Sequence, residues 1–498
     1  MNPFKKTALY FALLCALIYF PLFLHLDTLS FRIFDESFLA LHTYEMMHDH
    51  DYIVTHSLGQ PEMINTKPPF VIWCMMASCK VLGFNELAIR LPNALSGLIV
   101  CFIIFFFLRR LTGDPLTGFA AALALVSSSG YVCRHGTRTG EYDAFLTLFV
   151  LIYCLSLFLL MEDVGEKRKR QLWVVFTFGM ILAILTKGIA ALMITPGLFI
   201  YILMRRKLLW FIRSKETYIS SFSIVLIGLG YYLLREHFNP GFLETVNRNE
   251  LSGRYINTNE GHEAGAMFYI NLIKDLYFPY WLAVAGLAAA AALISGMSAI
   301  VNRLIAFCAI VAVGLIAVVS FGATKLVWYS MPAMPFLAIA AGLGIYLIKR
   351  FIFEVVDAPS FKKELCALLL VLFITTPPYS TIIADNLKST EVQWDVEAHS
   401  IGYYVRHKIA AKESLGGYKI LKNDYEARVI TCSIYKLADL GQRVKMIDAN
   451  QLQKGDRLII HNDHEREVAG KLFRHQIIEQ YQTVEVWLLA DSLQVQGI

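Results

Sequence analysis

Asp143-Ala-Phe-Leu-Thr-Leu-Phe-Val-Leu-Ile-Tyr-Cys-Leu-Ser-Leu-Phe-Leu-Leu-Met161 carries one charge, at its first residue. A helix rising about 1.5 Å per residue covers most of a hydrocarbon core of about 30 Å in such a run. Its two flanks differ. Before it lies a polar loop with Arg134, Arg138 and Glu141 around Gly136 and Gly140, and after it come Lys167 to Arg170. Lys and Arg collect in cytoplasmic loops, so the basic flank faces the cytoplasm and Asp143 emerges on the opposite side. This reading of one segment sets the topology of the rest.

Ten further stretches read as spans: 7–26, 91–108, 116–132, 172–186, 188–204, 218–236, 276–295, 300–320, 330–348 and 364–384. The composition agrees, with 56% hydrophobic and 17% charged residues and a mean hydropathy of +0.51, well beyond ordinary soluble domains. The expected fold class is an α-helical polytopic membrane protein with about 11–13 transmembrane helices and a small C-terminal α/β soluble domain. With the N-terminus inside, Arg109 and Arg110, Lys167 to Arg170, Arg205 to Lys207 with Arg213 and Lys215, and Lys349, Arg350, Lys362 and Lys363 all fall in cytoplasmic loops. Eleven spans then put the tail outside. Counting the apolar stretch Pro68 to Gly83 as another span would invert the following loop, so it reads as helices packed along the outer membrane face. Ala8 to Leu26 is read as a retained first span rather than a cleaved signal peptide.

Residues 1–384 are thus expected to form the membrane domain, with long external loops at 27–90 and 237–267, and 385–498 a soluble domain. In that tail Glu397 to Lys412 and His464 to Leu472 are spaced like helices, and Arg457 to His461 and Thr483 to Leu489 like strands. The net charge of +5 comes from basic loops that positive-inside anchoring explains, so nucleic acid is not an expected partner. Nine cysteines lie without CxxC spacing, mostly within apolar runs, and read as small buried hydrophobes.

The isolated charges beside apolar segments are the chemical signal, because a charge at a membrane boundary is costly unless paired or used. Asp35, Glu36, Lys67, Asp143, Lys187, Arg254 and Lys325 would all meet at the outer face. Asp35 and Glu36 stand where a helix restarts, able to accept a proton, orient an acceptor or bind a metal, or simply to complement the helix dipole. In Thr66-Lys67-Pro68-Pro69 the diproline holds the Lys67 ammonium on a rigid corner, which suits an anion. Lys187 in Thr186-Lys187-Gly188 and Lys325 in Thr324-Lys325-Leu-Val-Trp328-Tyr329 interrupt apolar runs at outer helix ends. Two such lysines can cradle a phosphate whose lipid tail lies in the bilayer, although interfacial anchoring by Lys and Trp explains them too. Asn247, Glu250, Arg254 and His262 form a polar set suited to closing over a sugar or phosphate. Glu86 and Arg90, four residues apart, read as a helical ion pair. His42, His48, Asp49, His50, Asp51 and His56 look metal-like but lack regular ligand spacing.

In order along residues 30 to 350, the chain shows Phe34-Asp35-Glu36, Lys67-Pro68-Pro69 with Trp73, Phe84-Asn85-Glu86 with Arg90-Leu91-Pro92, Arg138 with Asp143-Ala144, Thr186-Lys187-Gly188, Arg254 with His262, and Thr324-Lys325 with Tyr329 and Pro332. Together these resemble the bacterial protein mannosyltransferase-like group of GT-C glycosyltransferases, which includes the lipid A aminoarabinose transferases. The resemblance implies inverting transfer of a sugar from a polyprenyl-phosphate donor, such as undecaprenyl phosphate, at the outer face of the bacterial inner membrane. The acceptor would be lipid A or another periplasmic group, with membrane lipids around the site. It implies Lys67 and Arg254 near a phosphate and Lys187 and Lys325 in support. Asp35, with Glu36 beside it, would be the acceptor base or orienter, and Asp143 would contact the sugar or a neighbouring cation. Arg138, His262 and Tyr329 join the substrate-binding set. No cofactor and no metal are expected. Two alternatives remain, a protein O-mannosyltransferase acting on hydroxyls and a lipid-linked sugar flippase, the latter opposed by charges gathered at one face rather than at the midplane.

Overall fold

A computed structural model describes residues 2–132, 135–162, 165–252, 261–296, 299–388 and 396–493. Eight helices among them are long and apolar enough to cross a membrane: Pro3–Phe23, Glu86–Thr112, Asp143–Leu160, Glu166–Leu192, Lys215–Phe238, Ile300–Phe321, Val327–Val355 and Ser360–Lys388. A ninth candidate is the pair Phe268–Tyr277 and Pro279–Ser295, bent by 112°, and Pro115–Val126 and Thr195–Met204 are shorter apolar helices. These account for all eleven stretches expected from the sequence, and the chain is a multi-span membrane protein. Phe70–Leu82, the stretch excluded from the count, is an apolar helix of 13 residues, similar in length to Pro115–Val126.

The chain forms two compact units that cut across its linear order. The first comprises 1–24, 63–71 and 91–388; the second comprises 25–62, 72–90 and 389–498. The long first loop therefore belongs mainly with the tail, a grouping that no local sequence pattern announces.

In the first unit, small residues let helices approach closely, as expected where lipid removes the hydrophobic drive between helices. A methyl on Gly118 would lie 2.4 Å from the Phe105 carbonyl oxygen, and one on Gly342 would lie 2.8 Å from that of Thr117. Charges at the helix ends near the basic loops are paired: Lys349 with Asp114 and Glu364, both at 2.7 Å, and Arg303 with Glu162 at 2.6 Å.

The second unit is built on a sheet of five strands: β3 (Lys419–Leu421), β4 (Lys445–Ile447), β5 (Arg457–Ile460), β6 (Phe473–Tyr481) and β7 (Val484–Ser492), a short hairpin of β1 (His56–Ser57) and β2 (Gln60–Pro61) lying elsewhere in the unit. The spatial order is β4-β3-β5-β7-β6, with β3 parallel to β4 and β5, and β7 antiparallel to β5 and β6. Alternation sends Ile420, Ile459 and Val486 into a core with Ile401, Tyr404, Ile430 and Ile33. Leu421, Leu458, Ile460 and Trp487 turn the other way onto Ala469 of the helix Asp463–Leu472.

The loop segments of this unit are fixed by buried charge. Arg90 Nε and Nη2 donate to the two oxygens of Glu36 at 2.7 Å, while its remaining N–H groups reach the carbonyls of Leu26, Leu29 and Ser30 at 2.8–3.0 Å. Such a bidentate pair, 4% and 0% exposed, satisfies a guanidinium that burial would otherwise penalise. The expected Glu86–Arg90 pair is replaced by this one, and Glu86 instead meets Lys436 at 2.5 Å and Arg406 at 3.0 Å. Position i+4 on a helix offers contact, but Arg90 finds a fork-shaped acceptor in Glu36 while Glu86 finds two cations from the tail. The histidine-rich stretch is dispersed: His42 is buried with Nδ1 2.5 Å from the His56 carbonyl, whereas His48 and His50 are exposed at the helix end.

Candidate active site

Two helices of the first unit place opposite charges face to face. Asp143 opens the helix Asp143–Leu160, and Lys187 is the last residue of Glu166–Lys187. The Lys187 ammonium donates to both Asp143 oxygens, at 2.6 and 2.7 Å, with the side chains 7% and 4% exposed. The Lys187 helix stops because Gly188 takes φ +56°, a conformation that favours glycine. The Tyr232 hydroxyl lies where a Gly188 side chain would begin, 2.3 Å from an ideal Cβ. The Tyr329 ring lies 5.5 Å from the Lys187 ammonium, a cation–π distance.

The Thr66-Lys67-Pro68-Pro69 corner stands beside this pair through Tyr142. Asn65 donates to the Tyr142 hydroxyl at 2.9 Å and accepts from the Lys67 amide at 3.3 Å, and the Lys67 ammonium sits 5.6 Å from the Tyr142 ring. Glu250 Oε1 accepts from the Thr66 hydroxyl at 2.5 Å and lies 3.5 Å from the Lys67 ammonium. Asp143, Lys187, Glu250, Thr324 and Tyr329 then form the polar lining of a cavity whose other walls include Leu146, Ile189, Met193, Leu315 and Val319. Its few polar residues share it with long apolar walls, as in sites for amphiphilic ligands.

The remaining expected residues divide. Lys325 turns its ammonium onto the Gly322 carbonyl at 2.8 Å, at the end of Ile300–Phe321, and its amide donates to the His262 carbonyl at 3.0 Å, so this pair braces the cavity rim through backbone. Arg138 bonds the Pro21 and Leu24 carbonyls at 2.9 and 2.7 Å, at the end of the first span. Asp35 and Glu36 belong to the second unit; Asp35 is exposed at the start of the helix Asp35–Asp49, and Glu36 is held by Arg90. Arg254 and Arg134 lie outside the described residues.

Sequence reasoning passed over His135. It takes φ +65°, its ring stacks on Trp328 with centroids 3.8 Å apart, and its Nδ1 lies 2.6 Å from Glu141. The signal that would have found it is the glycine-flanked run His135-Gly136 to Gly140-Glu141, which permits a turned backbone next to Asp143.

A buried lysine–aspartate pair on an apolar-walled cavity, in a multi-span helical bundle of this topology, defines a class: the chain has the GT-C fold of membrane glycosyltransferases. Residues 66–231 match the dolichyl-phosphate-mannose-protein mannosyltransferase family. Among solved structures, ArnT from Cupriavidus metallidurans bound to undecaprenyl phosphate is similar with a TM-score of 0.69 at 17% identity, over 96% of this chain and 97% of that one. Among curated relatives, an uncharacterized protein of Aquifex aeolicus is 28% identical over 43% of this chain and 42% of its own. An undecaprenyl phosphate-alpha-4-amino-4-deoxy-L-arabinose arabinosyl transferase of Pseudomonas fluorescens is 24% identical over 54% and 46%. The chain spans somewhat under half the length of the curated relatives it matches.

Proposed function

We propose that this protein transfers a sugar from a polyprenyl-phosphate donor to an acceptor at the outer face of the bacterial inner membrane, with inversion. The observation that carries the reading is the cavity in which an apolar wall runs up to Lys187, Asp143 and Tyr329, beside the Lys67 corner. An amphiphile with an isoprenoid tail and an anionic head suits such a lining. The structural likeness to an ArnT bound to undecaprenyl phosphate supports the same donor class.

In the reaction the acceptor oxygen bonds to the anomeric carbon as the bond from that carbon to the phosphate oxygen breaks. The electron pair stays with the phosphate, and a phosphodiester becomes a phosphomonoester. Negative charge therefore grows on the leaving group, and fixed ammonium groups stabilise the transition state more than the ground state. Lys67 and Lys187 would supply these cations, with Arg254 assigned from sequence. Asp143 holds Lys187 in place and keeps the buried ammonium paired before donor arrives.

The acceptor determines whether a base is needed. A lipid A phosphate is already ionised and needs none, so Asp35 would only orient it; a protein or glycan hydroxyl must lose its proton, and Asp35 would then receive it. The relationship to aminoarabinosyl transferases supports the first acceptor, and the match of residues 66–231 to protein mannosyltransferases supports the second. Purified protein offered synthetic polyprenyl-phosphate sugars with lipid A and peptide acceptors separately tests both. Transfer to lipid A that persists in Asp35→Asn and fails in Lys67→Ala is the expected result. Donor binding without transfer to any acceptor would instead favour a flippase.

A further inference from the structure

The contact between Glu250 and the Lys67 corner has a consequence for donor binding that rests on the polyprenyl-phosphate reading above. We propose that Glu250 is the resident counter-anion of Lys67, that a donor phosphate displaces its carboxylate, and that Glu250 thereby sets donor affinity.

The corner offers two donors to one anion: the Thr66 hydroxyl, on a side chain 1% exposed, and the Lys67 ammonium. The diproline that follows and the Asn65 hydrogen bond to the Lys67 amide hold both in place without help from Glu250. What occupies them is Glu250 Oε1, at 2.5 Å from the hydroxyl and 3.5 Å from the ammonium. Glu250 and Lys67 are each 17% exposed, too buried for solvent to screen the pair fully. A carboxylate and a phosphate are both oxyanions that accept from hydroxyl and ammonium groups with similar geometry. They cannot share this notch, because like charges that close repel and each would raise the cost of keeping the other ionised.

Glu250 also lines the cavity itself, so the site it occupies opens directly on the space assigned to the donor. It is carried on a π-helical turn, Asn247–Ser252, rather than in a long regular helix. This turn lies outside the membrane-spanning helices, so movement of the carboxylate does not require a span to break. A role in merely positioning Lys67 predicts the opposite sign: removing the carboxylate would then weaken phosphate binding.

The test is binding of sugar-free polyprenyl phosphate to the full-length protein in nanodiscs, with the corresponding polyprenyl alcohol as the control lacking phosphate. Glu250→Gln keeps the shape of the side chain and is expected to bind the phosphate about 10- to 100-fold more tightly than wild type, the range of one hydrogen bond to a charged group. Glu250→Ala should shift in the same direction, Lys67→Ala should cancel the gain, and the alcohol should show none. Folded Glu250→Gln and Glu250→Ala proteins that bind the phosphate equally or more weakly, while wild type binds it, would overturn the displacement. Failure of wild type and both variants to bind the phosphate would overturn the donor reading and this inference with it.

Discussion

Replacing Asp143 by Asn should cost stability as well as activity, and the structure sets the size of both effects. The Lys187 ammonium sits 2.6 and 2.7 Å from the two carboxylate oxygens, and the side chains are 7% and 4% exposed. At an effective dielectric of about 20, unit charges about 3 Å apart attract by about 5 kcal/mol, part of which offsets the desolvation of the two ions. Removing one partner leaves the other buried and uncompensated, so Asp143→Asn and Lys187→Met should each lose about 3–5 kcal/mol. The double variant, with no charge to bury, should recover about 2–3 kcal/mol relative to the sum of the singles. Sugar transfer should not recover with it, since the ammonium that would stabilise the leaving phosphate is gone. The assay is reversible unfolding by SDS in mixed micelles, run beside transfer from a polyprenyl-phosphate sugar. Additive losses, or a single variant within about 1 kcal/mol of wild type, would refute the coupling of the pair; transfer restored in the double variant would refute its place in the chemistry.

Three further outcomes follow from other contacts. Arg90→Lys cannot reproduce five donors to Glu36 and three carbonyls, and should raise the protease sensitivity of residues 25–62 by about the tenfold to hundredfold that 1.5–3 kcal/mol implies. Gly188→Ala combines a strained φ of +56° with a collision against the Tyr232 hydroxyl, and should reduce transfer more than tenfold, with partial recovery in Gly188→Ala/Tyr232→Phe. In the second unit, burial would lower the His461 pKa, but hydrogen bonds to Glu426 and Glu465 overcome it and raise the value from 6.5 to about 9. A raised folded pKa gives stability that is fully present below about pH 6.5 and is lost as pH rises through about 9, on the order of 3 kcal/mol in all. Hydrogen exchange of β5 across that window should lose protection accordingly, and Glu426→Gln should flatten the dependence.

The membrane bundle was legible because charge interrupts it. Asp143 and Lys187 stand out where apolar runs start and stop, and Lys67 stands out before two prolines, so the charged residues of the cavity and the corner beside it were visible one by one. Their partners were less so. Glu250 reads as one polar residue in a long loop, and only folding brings it 184 positions back to Thr66. Glu36 reads as a helix-start acid until Arg90 arrives from 54 residues away. In the tail, the helices and strands with strong periodicity matched their expected ranges, while β6 escaped because Phe473–Tyr481 is mostly exposed at a sheet edge and shows no apolar alternation. The helix Ala427–Ala438 was readable in principle: Ala427, Ile430, Ile434 and Leu437 recur at helical spacing.

The most direct measurement is sugar release from a polyprenyl-phosphate donor by the purified protein, with lipid A and peptide acceptors in separate reactions and Lys67→Ala alongside. The account predicts turnover with one acceptor, polyprenyl phosphate as the second product, and loss of turnover in Lys67→Ala while the variant stays folded. Folded wild-type protein that binds the donor yet turns over with no acceptor, or a Lys67→Ala variant as active as wild type, would contradict it.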